Sequence, residues 1–325
     1  MSWIITGEQV NPAGDAQITY GITSTGGVFN LRSTGTGDYE VEWGDGTVER
    51  STSNTLAHTY SAGSYVLKVR TAQQYVPYFN NSTDEDQITS VALVSDLDVG
   101  TNLSNAWLGA NNIISFDAAF GVTAGVTNFS SAWYTCSGLT SFPTLDTSSG
   151  TNFNAAWYNC NKLTSFPTLD TSLGTNFSYA WYACSGLTSF PTLDASLGTN
   201  FSYAWQNCNR LTSFPALNTS SGNTFFSAWF NCTSLTSFPA NFFDSWTRTP
   251  ANNCFVGTWD NCFSLTATSV ENILNSIDTS GRSAPASGVD ITIDYNAASG
   301  TPNISTAVTN LKSRGWTITL NGVLQ

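Results

Sequence analysis

Charged side chains are scarce in this 325-residue chain. They make up 10% of it, against roughly 25% in a typical soluble domain. The 22 acidic residues outnumber the 10 basic ones and give a net charge of -12. Because proteins that follow nucleic-acid phosphates concentrate Lys and Arg on their surface, this composition argues against a nucleic-acid partner. Solubility must come from uncharged Ser, Thr, Asn and Gly.

Long apolar runs are also missing from the sequence. The longest, such as Val91 to Val94, contain only a few residues, whereas a helix needs about 20 to cross a bilayer. We therefore expect no membrane insertion. A secretory signal has a basic start and then an apolar stretch, but Glu8 precedes the first basic residue, Arg32. The sequence predicts no export through a signal peptide.

Histidine occurs once, as His58, so a two-histidine metal site or a histidine-dependent triad is hard to build within one chain. A glycosidase needs two carboxyl groups in a cleft, one of them with a raised pKa. The aspartates that recur along this chain form a uniform series without that asymmetry. We predict that the protein is not an enzyme, binds no cofactor and uses His58 structurally.

A repeat of 24 residues fills the middle of the chain. The first clear block, TNFSSAWYTCSGLTSFPTLD, begins at Thr127, and four more follow it. Looser copies around Trp107 and Trp259 extend the array to about seven coils within residues 81–265. Three residue types recur at this interval in the five blocks: Trp133, Trp157, Trp181, Trp205 and Trp229; Cys136, Cys160, Cys184, Cys208 and Cys232; Phe142, Phe166, Phe190, Phe214 and Phe238.

Each block combines two patterns. Phe129, Ala132, Trp133 and Cys136 have the i, i+3, i+4, i+7 spacing of one face of a short helical segment. The following LTSFP run favours extended backbone. We therefore expect one short helix or turn and one short strand in each block, with blocks stacked about 4.8 Å apart around one continuous core. Such an array is a parallel solenoid.

The run A-W-x-x-C-x-x-L-T-S-F-P is similar to the A-F-x-x-C-x-x-L-x-x-I motif of BspA-like leucine-rich repeats. That family occurs in bacterial surface proteins and in proteins of bacteriophage particles. The resemblance implies a leucine-rich-repeat-like solenoid. This chain departs from the family by placing Trp where Phe or Met is usual, and Phe142 at an aliphatic position, which affects the girth of the solenoid more than its topology.

The two ends are different modules. In residues 1–80, VEWGDGTVER and AHTYSAGSYVLKV resemble the turn and later strand of a PKD-like β-sandwich, which implies a spacer or contact domain. The polar segment from Asn80 to Gln87 is the expected linker.

Residues 266–325 predict an α/β capping module: a Thr268–Glu271 capping box begins a helix, and a strand, a second helix and a last strand follow. Its R-G-W-T-I-T end resembles a tail segment of phage structural proteins. The fold class is mainly β with short helices.

The recurring cysteines and aspartates have two interpretations each. We predict reduced, buried thiols, although neighbouring coils lie near disulfide range and Cys254 with Cys262 is the pair to test first. The aspartates could form a weak Ca²⁺ site, or each could cap its own turn, which Asn at position 218 favours. They are Asp146, Asp170 and Asp194.

Two polar series are candidate ligand-binding residues. Five tyrosines flank the buried stripe, where they could stack on sugar rings or pack between coils: Tyr134, Tyr158, Tyr182, Tyr179 and Tyr203. A threonine series on the strand surface could bind a regular ligand or solvate the sheet: Thr140, Thr164, Thr188, Thr212 and Thr236.

These observations and resemblances predict a non-enzymatic virion surface protein, a phage capsid decoration or a tail-fibre component, which displays its repeats for attachment to a host-surface glycan or protein. Its expected partners are other virion structural proteins and that host surface, and a homo-oligomer is compatible with the sequence. Two alternatives stay open: an extracellular bacterial cell-surface adhesin, and an architectural particle protein without a ligand.

Overall fold

A computed structural model describes residues 18–34, 38–79, 85–94 and 97–325. Its fold is mainly β with two short α-helices, as the sequence predicts. In these residues no helix is both long and apolar enough to cross a membrane. Residues 1–17 of the N-terminal module and residues 80–84 of the expected linker lie outside the described part.

Six strands form one hydrogen-bonded sheet: β1 (Ile18–Arg32), β2 (Tyr39–Glu42), β3 (Val48–Ser51), β4 (Thr55–Thr71), β5 (Ile88–Leu93) and β6 (Ser115–Ala118). Their order across the sheet is β3-β2-β4-β1-β5-β6. Within it, β1 pairs antiparallel with both β4 and β5, and β6 pairs parallel with β5. This sheet therefore runs from the N-terminal module into the first repeats, and the two-layer packing of the β-sandwich stays a prediction.

Successive 24-residue repeats, here called coils, stack in parallel. Main-chain N–H groups of one coil donate to carbonyl oxygens of the next: Ala155 N lies 2.9 Å from Ser178 O, and Trp157 N lies 2.9 Å from Ala180 O. In five successive coils an asparagine forms isolated parallel bridges to its equivalents, through Asn102, Asn128, Asn152, Asn176 and Asn200, and Thr224 takes this place in the following coil. The repeat thus brings equivalent residues side by side.

The Phe-Ala-Trp-Cys segment forms consecutive turns and not a short helix. Ser131 and Thr135 have φ angles of 55° and 59°, in the left-handed region that a right-handed helix cannot include. Alternate N–H groups donate to the neighbouring coil, and the N–H groups between them donate to the carbonyl oxygen three residues earlier in the same coil. The LTSFP run of the coils from Thr127 onward likewise contains no regular strand, only an isolated bridge between Ser213 and Ser237.

Aromatic rings form the core of the stack. Seven tryptophan rings lie face to face, with centroids 5.2 to 5.8 Å apart and planes within 3 to 16° of parallel. Phenylalanine rings meet them edge-on, as Phe142 meets Trp133 at 4.8 Å and 82°. Offset-stacked and edge-to-face pairs are the favourable aromatic geometries. Every coil thus extends the same core.

The C-terminal module packs on the last coil. It contains α1 (Ala267–Thr279), β7 (Asp290–Ile293), α2 (Ser305–Ser313), β8 (Thr317–Leu320) and β9 (Val323–Leu324), with sheet order β7-β8-β9. Ile293 of β7 forms a parallel bridge with Trp259, so this sheet continues from the stack. Thr266, and not Thr268, caps α1 by accepting a bond from Ser269 N. Glu271 accepts instead from Asn303 N, 2.6 Å away, because that loop approaches α1.

Candidate binding surface

The five predicted tyrosines form one continuous, half-buried surface on the stack, here called the tyrosine surface. Tyr158 stacks between Tyr134 and Tyr182, with centroids 4.4 and 4.6 Å away and planes within 10°. Tyr179 stacks on Tyr203 at 4.4 Å and 15°. The two rows meet, because Tyr179 lies 6.4 Å from Tyr158 and 5.8 Å from Tyr182.

Phe226 extends the tyrosine surface, and sequence reasoning missed it. Its ring meets that of Tyr203 edge-on at 5.1 Å, and its side chain is half-buried. The signal was present in the fifth block, whose NTFFSAW places Phe226 where the two preceding blocks have Ser178 and Ser202. The aromatic surface therefore spans five consecutive coils.

The stacking of the rings limits how the tyrosines meet a ligand. Tyr158 has both ring faces covered by stacked neighbours, and each of the other four tyrosines has one face covered, so the surface presents mainly ring edges and hydroxyl groups. Desolvation, together with the adjacent phenols of Tyr134 and Tyr182, raises the pKa of Tyr158 to about 12. The phenol therefore stays neutral near physiological pH and can both donate and accept a hydrogen bond.

The backbone of the coil has the same shape with and without a tyrosine at the positions of Tyr179 and Tyr203. Tyr179 and Tyr203 have φ angles of 57° and 61°, and Ser131, Ala155 and Ser227 have the same left-handed conformation at the equivalent positions, with φ between 51° and 55°. Bulky side chains are uncommon in this region of backbone space. An aromatic residue in this place runs against the local backbone preference, and its ring packs against tyrosines of its own and the neighbouring coils.

The predicted threonine series lies exposed on another face of the stack. Its hydroxyl groups donate to main-chain carbonyl oxygens of the preceding coil: Thr188 Oγ1 lies 3.4 Å from Thr164 O, and Thr236 Oγ1 lies 2.9 Å from Thr212 O. The bonds of Thr164 and Thr212 are equivalent. Since these donors are engaged within the stack, the arrangement favours a role in holding coils together over ligand binding.

The recurring aspartates bind their own turns. Asp146, Asp170 and Asp194 accept from the main-chain N of the residue two positions later, at 3.2, 3.0 and 3.0 Å. The bonds from Ser172 lower the pKa of Asp170. Within the described ranges no three His, Cys, Asp or Glu side chains come close enough together to hold a metal ion. The geometry favours turn capping over the Ca²⁺ interpretation.

His58 and the cysteines occupy structural positions. The His58 ring stacks on Trp43 at 4.5 Å, and its Nε2 lies 2.8 Å from Asp45 Oδ2. Hydrogen bonds from Thr47, with His58 adding to them, lower the pKa of Asp45 to about 2. All seven cysteines are buried free thiols, including Cys254 and Cys262, which form no bridge.

The tyrosine surface is thus a place in the described residues where half-buried aromatic side chains of successive coils gather on a well-packed support. No family model, curated protein or solved structure matches this chain.

Proposed function

We propose that this protein is a non-enzymatic surface component of a bacteriophage particle, a capsid decoration or part of a tail fibre, that attaches to the host surface. Its proposed architecture is an N-terminal PKD-like β-sandwich, a parallel leucine-rich-repeat-like solenoid of about seven coils and an α/β cap. The resemblance of the A-W-x-x-C-x-x-L-T-S-F-P run to repeats of phage and bacterial surface proteins supports it.

The observation that carries the proposal is the tyrosine surface on a tightly packed stack. The tryptophan and cysteine side chains beneath it are almost completely buried. A closely packed interior holds the surface groups above it in fixed positions, which lowers the entropic cost of binding. Aromatic residues with a polar tip are also the type enriched where proteins meet their ligands.

In the proposal, the two end modules of the chain make the contacts with other virion proteins. The edge of the first repeats is paired with β1, and the last coil is paired with β7, so both ends of the stack are joined to other modules. Repeat proteins need such modules to cover their hydrophobic ends. In the proposal, one end module anchors the chain to the particle, and the side of the stack faces the host.

The bacterial cell-surface adhesin is the second candidate, because the repeat motif resembles proteins of both settings. Mass spectrometry of purified phage particles separates the two. We expect the chain at a fixed copy number per particle, and an antibody against it to slow adsorption to host cells. Recovery of the chain only from a bacterial cell surface would favour the adhesin. Its presence in particles without an effect on adsorption would favour an architectural role.

A further inference from the structure

We propose that the tyrosine surface binds an uncharged polysaccharide whose chain lies along the stacking direction, with successive sugars on successive coils. This inference rests on the proposed attachment function and narrows it to one ligand class and one orientation. Three properties of the surface lead to it: the direction of its rows, the chemistry of its exposed groups and its lack of charge.

The rows run along the stack and not across a coil. Tyr134, Tyr158 and Tyr182 occupy the same position in three consecutive coils, and Gln206 and Phe230 continue that row. The repeated spacing of 4.4 to 4.6 Å between the tyrosine rings offers equivalent groups to a ligand that is itself a repeating chain. A compact ligand would use only part of such a row.

The exposed groups have the chemistry that sugars require. Besides the phenol hydroxyls and ring edges, the row includes amides in its sequence: Asn159 directly follows Tyr158, and Asn207 directly follows Gln206. Both asparagines are half-buried, and Asn207 already accepts a bond from Asn231 Nδ2 at 2.9 Å. Neutral phenols and amides both donate and accept, which matches the hydroxyl groups of a sugar.

The tyrosine surface also lacks charge. Within the four blocks from TNF to Cys, beginning at Thr127, Thr151, Thr175 and Thr199, there is no Asp, Glu, Lys or Arg. The nearest cations in sequence, Lys162 and Arg210, follow the row positions by four residues. Charge complementarity governs the choice of charged partners, so a neutral surface favours a neutral ligand over an acidic polysaccharide.

Residues at equivalent positions of different coils indicate which substitutions the fold accepts. Replacing Tyr179 and Tyr203 with Ser restores the residue that Ser131 and Ser227 show in equivalent positions, so the coil is expected to keep its shape. The control replaces Thr164 and Thr188 with Ala on the face where hydroxyl groups bond to the preceding coil. Near-ultraviolet circular dichroism of the tryptophan stack verifies that both variants retain the core.

The experiment measures binding of the full-length purified chain to neutral oligosaccharides graded in length from disaccharide to octasaccharide, and to neutral polysaccharide from host cells. We expect affinity to rise with length, to be insensitive to salt, and to fall at least about tenfold in the double Tyr→Ser variant but not in the Thr→Ala control. If the chain did not occur in phage particles, the proposed function would be contradicted, but the measured binding of the purified chain to neutral glycans would still stand.

Three results would overturn the inference. The first is absence of binding to every neutral glycan, host polysaccharide included. The second is binding confined to acidic glycans and abolished by salt, since that pattern belongs to Lys and Arg. The third is concentration-dependent self-association that the double Tyr→Ser variant abolishes in analytical ultracentrifugation, because the surface would then bind a second copy of this chain.

Discussion

The thiol of Cys160 donates a hydrogen bond to the main-chain carbonyl oxygen of Trp133 in the preceding coil, over a sulfur–oxygen distance of 3.2 Å. Cys136, Cys184, Cys208, Cys232 and Cys262 make the equivalent bond at 3.1 to 3.3 Å. The Trp133 oxygen also accepts from Cys136 N at 3.1 Å. Cysteine is suited to this place because it is small and apolar yet retains a weak donor.

Replacing Cys160 with Ala is expected to lower the free energy of unfolding by about 1–2 kcal/mol, through a small cavity and one lost weak hydrogen bond. The loss is limited because the Trp133 carbonyl keeps its bond from Cys136 N. Urea unfolding followed by tryptophan fluorescence measures it. Cys254→Ala, at a buried cysteine outside the repeat, is the comparison. An unchanged midpoint for Cys160→Ala would show that the thiol is dispensable to the stack.

The buried thiols also predict an alkaline limit to stability. Desolvation, and then repulsion from the neighbouring cysteine, raises the pKa of Cys160, Cys184, Cys208 and Cys232 well above the ordinary 9.0. The folded chain keeps these protons where the unfolded chain releases them. The stabilisation is therefore complete below about pH 9 and is lost as the pH rises, at about 1.4 kcal/mol per pH unit for each thiol.

The measurement is the free energy of unfolding between about pH 8 and pH 10, which covers the ordinary thiol pKa of 9.0. We expect a steep decline above it, and in Cys184→Ala a decline shallower by about 1.4 kcal/mol per pH unit. Buried tyrosines of the N-terminal sheet add equally to the pH dependence of the free energy of unfolding in both proteins, so their contribution cancels in the comparison. Equal slopes would mean that Cys184 titrates in the folded chain as it does in the unfolded one.

Gly186 lies where the coils approach closely. A Cβ atom at this position would lie 2.6 Å from Leu163 O and 2.7 Å from Asn161 O, so the backbone of one coil would have to move. We expect Gly186→Ala to cost about 1–3 kcal/mol, as overpacking does. Lys162, exposed at the equivalent position one coil earlier, is the matched control, and Lys162→Ala is expected to cost less than about 0.5 kcal/mol. Thermal unfolding of both variants tests the difference, and equal melting temperatures would refute it.

The sequence predicts side-chain neighbours better than backbone conformation. The 24-residue interval places Trp133 next to Trp157, whose ring centroids lie 5.6 Å apart, and it brings the tyrosines together. The spacing of Phe129, Ala132, Trp133 and Cys136, however, is shared by a helix and by consecutive turns. Only the left-handed residues distinguish them, and Ser131 is not a residue type that signals such a conformation.

Contacts between modules were beyond sequence reasoning for another reason. The pairing of β5 with β1 joins residues on both sides of the boundary expected at residue 80, and no local pattern specifies which edge a strand selects. The stacking of the tyrosine rings could not be predicted from the sequence either. Sugar stacking and packing between coils need the same residues at the same positions, and they differ only in the direction of the ring faces. Both faces of Tyr158 and one face of each other tyrosine lie against neighbouring rings, so edges and hydroxyls are the main groups left for a ligand.

Adsorption of phage particles to host cells tests the central claim most directly. Particles that contain the chain with Tyr179→Ser and Tyr203→Ser are compared with wild-type particles, after mass spectrometry has verified equal copy number. We predict an adsorption rate lower by at least about tenfold, because the support is intact and two of the five tyrosines of the proposed binding surface are gone. Equal adsorption by both kinds of particle would contradict the account of the tyrosine surface as the attachment site.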